Sequence, residues 1–127
     1  MKLLLDTSIL IDVLRLKKQR NQWLADLVRG GHTLATTTLN IAEIYAGMRP
    51  AEEGRTEALL SGLEVYELSG ASARLAGGFK NIWARKGHTL SLADAIVAAI
   101  ATERGCALLT DNRKDFPMPE VQLYAVP

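Results

Sequence analysis

Apolar residues fall into short unbroken runs that alternate with stretches of helical spacing. Residues 2–5 (KLLL) form one such run, closed by Asp6-Thr7-Ser8, and read as a short strand buried on both faces. Residues 8–18 place Ile9, Leu10, Val13 and Leu14 on one helical side, and 21–29 read as a second helix stopped by Gly30-Gly31. A strand is expected over 32–37, a helix over 39–48 ended by Arg49-Pro50, and a more polar helix over 52–60. Residues 63–68 (LEVYEL) alternate and read as a strand. Helices follow over 71–85, weakened by Gly77-Gly78, and over 91–103, with Gly105 as C-cap. Residues 106–110 (CALLT) form a buried strand, 111–116 a turn or short helix, and 121–126 a last strand. Strands alternating with helices predict an α/β domain, a three-layer α/β/α sandwich around a mainly parallel sheet.

Composition narrows this picture only a little. The 127 residues make one domain, 1–127, and 48% of them are hydrophobic, enough for a core. Fifteen basic residues nearly cancel 14 acidic ones, so no overall charge marks a polyanion binder. Cys106 is the sole cysteine, which excludes an internal disulfide framework and reads as a small buried residue. No apolar run reaches the roughly 18 residues of a membrane span. A soluble, reducing, cytoplasmic setting is the expectation.

The informative residues are acids placed beside or inside apolar segments: Asp6 in LLLDTSIL, Glu43 in NIAEIYAG, Asp94 in SLADAIVAAIA, and Asp111 and Asp115 in LLTDNRKDF. A buried carboxylate costs several kcal/mol unless it is compensated. In an open parallel sheet, ligands bind outside the carboxyl ends of the strands. Asp6 and Asp111 directly follow predicted strands, Asp115 lies a short turn beyond, and Glu43 and Asp94 lie in helices beside them. Capping competes as an explanation: Ser91–Asp94 and Asn40–Glu43 have capping-box spacing, and Asp6 or Asp111 can serve a helix or turn. Asp94 fits capping least, being the sole charge between Ser91 and Thr102 on an otherwise apolar helix.

Clustered carboxylates repel one another, and a hard divalent cation with oxygen ligands relieves that. Such an ion lowers the pKa of a bound water and stabilises charge on a phosphoryl oxygen. His32 and His88 are far apart in sequence, no cysteine cluster offers a zinc site, and no phosphate-binding glycine loop is present.

LLLDTSILIDVLR, TTTLNIAEIYAGM and SLADAIVAAIATERGCALLTDNRKDF, in that order and spacing, resemble the PIN-domain ribonucleases, and within them the VapC-type toxins of toxin–antitoxin pairs. The resemblance covers nearly the whole chain. It implies a Mg²⁺- or Mn²⁺-dependent endoribonuclease, a homodimer neutralised by a cognate antitoxin. Asp6 and Asp94 match the acids that hold the metal, and Glu43 matches a further one. Thr110, Asn112, Asp115 and Phe116 match a T-x-N-x-x-D-F pattern, which makes Asp115 the fourth acid, with Asp111 as the other candidate. Thr7 and Ser8 match hydroxyl positions that steady the first acid or a phosphate.

A carboxylate-rich cleft needs flanking cations to hold RNA. Lys17, Lys18, Arg20, Arg85, Lys86 and His88 are candidates, and Arg113-Lys114 is favoured because it lies between the late acids. Trp23 and Trp83 sit at helical spacing and read as packing. The expected function is a toxin that hydrolyses RNA with a metal-activated water, leaving 5′-phosphate and 3′-hydroxyl ends. The alternative is a catalytically silent PIN-like module that binds RNA or protein. A phosphotransfer domain fits poorly, since Asp6-Thr7-Ser8 supplies one acid where two are required.

Overall fold

The computed structural model describes every residue, Met1–Pro127. The unbroken apolar run after Lys2 forms the central strand β1 (Lys2–Leu5), and its neighbours are short and mostly buried too. β2 spans Thr33–Thr37, β3 Glu64–Tyr66, β4 Ala107–Leu109 and β5 Gln122–Leu123. They form one sheet in the order β3-β2-β1-β4-β5, with every pairing parallel. The expected "mainly parallel" sheet is therefore entirely parallel, and β5 covers only Gln122–Leu123 of the 121–126 stretch read as a strand.

Side chains on β1 and β4 leave both faces of the sheet in alternation, as the two-residue period of a strand requires. Leu4 and Leu108 point to the side covered by α5 (Gly70–Arg85) and α6 (Leu92–Arg104). Leu3, Leu5, Ala107 and Leu109 point to the side of α1 (Thr7–Leu14), α2 (Arg20–Arg29) and α3 (Thr38–Gly47). A fourth helix, α4 (Glu53–Ser61), follows a 3-10 turn at Pro50–Glu52 and precedes β3. The layers match the expected α/β/α sandwich.

Small residues let α6 pack closely. Ala95, Ala98, Ala99 and Ala101 are buried along with Val97 and Ile100. The helix ends at Gly105, whose φ of 65° is the left-handed conformation that an L side chain adopts at a cost. α5 runs through Gly77-Gly78 without a break. Two glycines cost a helix about 1 kcal/mol each, and burial of Ala76 and Phe79, with Trp83 packed against the same cluster, offsets this.

α1 stops four residues earlier than its apolar spacing predicts. Arg15 caps it, and Leu16, Lys18 and Gln19 all take positive φ of 53–56°. Left-handed backbone at three non-glycine residues costs about 1–2 kcal/mol each, so the turn must be held by its surroundings. A charged clamp supplies that hold. Arg20, with its side chain 1% exposed, donates from Nη2 to Asp111 Oδ1 (2.8 Å) and to the Pro127 carbonyl oxygen (3.0 Å), and from Nη1 to Asp111 Oδ2 (3.4 Å). Lys18 Nζ lies 3.4 Å from Asp12 and 3.7 Å from Asp111. The clamp ties the start of α2 to the segment after β4 and to the chain's last residue.

Two measurements test this packing. Leu4 is fully buried in the central strand, so Leu4→Ala is expected to lose about 2–5 kcal/mol in urea denaturation; a loss below about 1 kcal/mol would contradict the assigned core. The Arg20 hydrogen bonds, ahead of opposing burial, hold the Asp111 carboxyl below its ordinary range. Its stabilising effect is thus present above the unfolded value near 3.9 and is lost as pH falls through the lower folded value. Asp111→Asn should cost about 1–3 kcal/mol at pH 7, with the difference from wild type closing below about pH 3–4. A difference that persists unchanged at low pH would rule out the charge as its origin.

Candidate active site

The chain reverses its direction of winding between β1 and β4, which is where an open parallel sheet leaves a crevice at the strand ends. Asp6 occupies that place. Its backbone N–H continues the β1–β4 ladder to the Leu109 carbonyl (3.0 Å), and its own carbonyl accepts the first N–H bonds of α1. Asp6 stands at the N-cap position of α1 but makes no side-chain capping bond. Its carboxylate is used elsewhere, so the capping explanation does not account for it.

The residue is 7% exposed, and each carboxylate oxygen accepts from one side-chain donor. Asn40 Nδ2 donates to Oδ1 (3.2 Å) and Thr110 Oγ1 to Oδ2 (2.8 Å). Burial pushes the Asp6 carboxyl up from its ordinary value, and Glu43 adds repulsion, while bonds from Thr110, Thr7 and Asn40 pull it down; burial wins.

Asn40 is the hub that the sequence concealed. Thr37 caps α3 by accepting from the Asn40 N–H (3.2 Å) and donates its hydroxyl proton to Asn40 Oδ1 (2.6 Å). That bond fixes which amide atom points inward. Nδ2 then donates to both Asp6 Oδ1 and Thr7 Oγ1 (2.9 Å). Thr7 passes the chain on by donating to Glu43 Oε1 (2.7 Å). The spacing Asn40–Glu43 is therefore no capping box. Asn40 sits inside α3, fully buried, and the only signal in the sequence was an amide lodged in an apolar segment.

Ser91 caps α6 as its spacing predicts, accepting from the Asp94 N–H (3.0 Å). The Asp94 carboxyl is also pushed up, chiefly by partial burial and then by the negative charges of Asp6, Asp115 and Glu43. That mutual influence places the four acids in one electrostatic neighbourhood. Asp94 and Asp115 line a common cavity of about 180 Å³, together with His88, Thr89, Leu90 and Ser91. The N-termini of α1, α3 and α6 all approach this region, and their dipoles favour negative charge there.

Asp111 has a different environment. It is paired with Arg20 and Lys18, its backbone N–H faces Ser8 Oγ at 3.4 Å, and it is absent from the neighbours that act on Asp94. Of the two late acids, Asp115 stands with Asp6, Glu43 and Asp94. Thr110 bonds Asp6 and also accepts from the Asn112 N–H (3.0 Å), which shapes the turn carrying Asp115.

Several expected cations are engaged elsewhere. Arg20 is buried in its clamp, and Arg113 Nη1 donates to the Tyr124 carbonyl (3.4 Å), while Lys114 is exposed. Two acids outside this group are also shielded from solvent: Asp12 Oδ2 is buried, and Glu52 is 7% exposed. Trp23 and Trp83 pack against the two cores as expected, and Lys86 lies over the Trp83 ring at 4.4 Å.

The groups gathered near Asp6 are mainly carboxylate and hydroxyl oxygens, with His88 the one imidazole lining the adjoining cavity, a set that suits a hard divalent cation better than zinc. No three acidic, histidine or cysteine side chains close on one point. Mg²⁺ keeps several waters and needs only one or two direct carboxylates, so the arrangement fits an ion of that kind.

Comparison with known proteins identifies the family. The sequence model of the PIN domain matches residues 3–119. Ribonuclease VapC10 of Mycobacterium tuberculosis is 34% identical over 128 residues, covering 98% of this chain and 95% of the relative. Ribonuclease VapC19 of the same organism is 31% identical over 94% of this chain and 96% of its own length. Among solved structures, VapBC2 from Rickettsia felis, bound to a promoter DNA fragment, superposes with a TM-score of 0.87 at 22% identity, covering 98% of each chain. The match of family, relatives and fold runs from end to end, and the chain belongs to the PIN-domain family, among the VapC ribonucleases.

Proposed function

We propose that this protein is a metal-dependent endoribonuclease and the toxin of a type II toxin–antitoxin pair. The observation that carries the reading is the gathering of Asp6, Glu43, Asp94 and Asp115 into one electrostatic neighbourhood at the switch point of the sheet, with the Asp6 and Asp94 carboxyls held above their ordinary pKa. Such an arrangement costs stability and is explained by a cation that recovers it. Relatives named as ribonucleases and solved toxin–antitoxin complexes of the same fold support the assignment.

Asp6 and Asp94 would hold Mg²⁺ or Mn²⁺, with Asp115 and Glu43 contributing through its waters. When bound, the ion supplies Lewis-acid stabilisation of phosphoryl charge and a water of lowered pKa. The chain's own residues do the positioning. Asn40 and Thr110 fix the rotamer of Asp6 from opposite sides. Thr7 anchors Glu43 by Oε1, and Oε2, which accepts no protein hydrogen bond, would take a proton from an attacking water. In-line attack by water would form a new P–O bond and break the bond to the 3′ oxygen, which takes a proton from solvent, leaving a 5′-phosphate and a 3′-hydroxyl.

The partners proposed are RNA, a cognate antitoxin and a second copy of the chain. A groove of about 240 Å³ beside Glu43, lined by Ile11, Leu14, Ile44 and Met48, suits an apolar helix that presents a basic side chain to the acids. No helix is long and apolar enough to cross a membrane, and a cytoplasmic location is part of the same proposal.

Incubation of antitoxin-free protein with total cellular RNA tests the function. Discrete cuts are expected with Mg²⁺ or Mn²⁺, absent with chelator and with Asp94→Asn. Asn40→Ala, which frees Asp6 and Thr7 together, should lower activity about 10–100-fold, as loss of a residue that orients a metal ligand does. Absence of cleavage by folded, metal-binding protein would count against the ribonuclease reading and favour a silent binding module.

A further inference from the structure

A second feature lies next to the acid cluster and carries the opposite charge. Arg15, Lys17, Arg49 and Arg55 line a shallow groove of about 350 Å³, where α1 meets the turn before α4. One carboxylate, Glu52, stands among these four cations. Its role is internal: Oε1 accepts from the Arg49 backbone N–H (2.9 Å), Oε2 lies 3.5 Å from Arg15 Nε, and its carbonyl accepts from Thr56 Oγ1 (2.8 Å). Glu52 thereby fixes the turn that presents Arg49 and steadies Arg15, leaving the cluster strongly positive.

Lys17, Arg49 and Arg55 make no ion pair, and Arg15 meets only Glu52, at 3.5 Å. In a chain of net charge +1, four cations gathered around a single carboxylate are a local concentration of positive charge. Lys17 is presented by the turn in which Leu16, Lys18 and Gln19 are left-handed, and strained backbone of this kind persists where the surroundings over-determine it.

The groove is continuous with the candidate active site. Leu14, Arg15 and Glu52 line both it and the neighbouring cavity that contains Glu43, whose carboxylate is tied through Thr7 to the Asn40–Asp6 network. A polyanion crossing the acids at one end meets these cations at the other.

We propose that Arg15, Lys17, Arg49 and Arg55 form the track that holds the backbone phosphates of single-stranded RNA on one side of the scissile bond, an inference that rests on the ribonuclease reading. Phosphate contacts fix register without reading bases, and the repulsion of RNA by the carboxylates makes such a counterweight necessary. RNA is favoured over an acidic protein segment because the cluster adjoins the acids that would act on it. The alternative partner is nevertheless one outcome of the test.

The test uses full-length protein carrying Asp94→Asn, so that bound RNA is not cut, and a fluorescent single-stranded RNA followed by anisotropy over a range of salt. The pair Arg49→Ala/Arg55→Ala is compared with Arg29→Ala/Arg104→Ala. The second pair changes net charge equally but lies where α2 and α6 lead into β2 and β4, at the far end of the strands. Circular dichroism confirms that both pairs fold.

Loss of two phosphate contacts should lower affinity about tenfold and reduce the slope of log K against log salt by about 1.4, at about 0.7 per single-strand phosphate. The control pair should leave the slope near that of the parent. Equal losses from both pairs would reduce the effect to net charge and overturn the proposal. No loss from Arg49→Ala/Arg55→Ala would overturn it as well and assign the cluster to a protein partner. Cleavage by the Asp94-intact protein is scored separately, so failure of the track leaves the ribonuclease reading standing, and failure of cleavage does not decide the track.

Discussion

Everything at the head of this sheet is arranged around the cost of one buried carboxylate. Asp6 ends the central strand, where it is nearly excluded from water, and desolvation favours its neutral form. Position follows from connectivity. The chain must leave β1 at the switch point, and the ladder bond from Asp6 to Leu109 holds the residue in the crevice between β1 and β4. Three other acids then bring like charge to the same region. A protein built only for stability would have no reason to keep them.

The surrounding residues divide into those that fix these acids and those that keep other charges away from them. Thr37, Asn40, Thr7 and Glu43 form an unbroken line of hydrogen bonds that branches to Asp6. Its direction is set by Thr37, because a hydroxyl that donates to Asn40 Oδ1 leaves Nδ2 as the inward donor. Arg20 does the complementary work. By occupying Asp111 it removes one acid from the late loop while tying that loop to α2 and the chain's end. The loop that carries Thr110 and Asp115 is thus anchored on one side by Asp6 and on the other by a cation.

Sequence reasoning succeeded where the signal was local. Apolar runs marked β1 and β4, Ser91 marked the start of α6 and Gly105 its end, and the acids stood out because Asp6 and Asp94 interrupt hydrophobic segments. It failed where the outcome depends on a distant residue. Asn40 looks like a cap until Asp6 is placed beside it, 34 positions away in sequence. Arg20 sits in a run of polar residues and reads as a candidate phosphate contact, yet it is buried against Asp111, 91 positions distant. The end of α1 was missed because no glycine or proline marks it; left-handed backbone at Leu16, Lys18 and Gln19 stops the helix instead. Arg49 and Arg55 were passed over because only the tertiary fold sets them beside Arg15.

The central claim is that these carboxylates oppose folding until a divalent cation joins them. Thermal unfolding of wild type and Asp94→Asn at pH 7, each in chelator and in rising Mn²⁺, measures this directly. With raised carboxyl pKa values, the ionised acids lower stability as pH rises through them, so in chelator Asp94→Asn should melt above wild type. Mn²⁺ should then raise the wild-type midpoint with a stabilisation of about 2.7 kcal/mol at a hundredfold excess over its dissociation constant, and move the variant little. A variant that melts below wild type in chelator, with both proteins answering Mn²⁺ equally, would contradict the account.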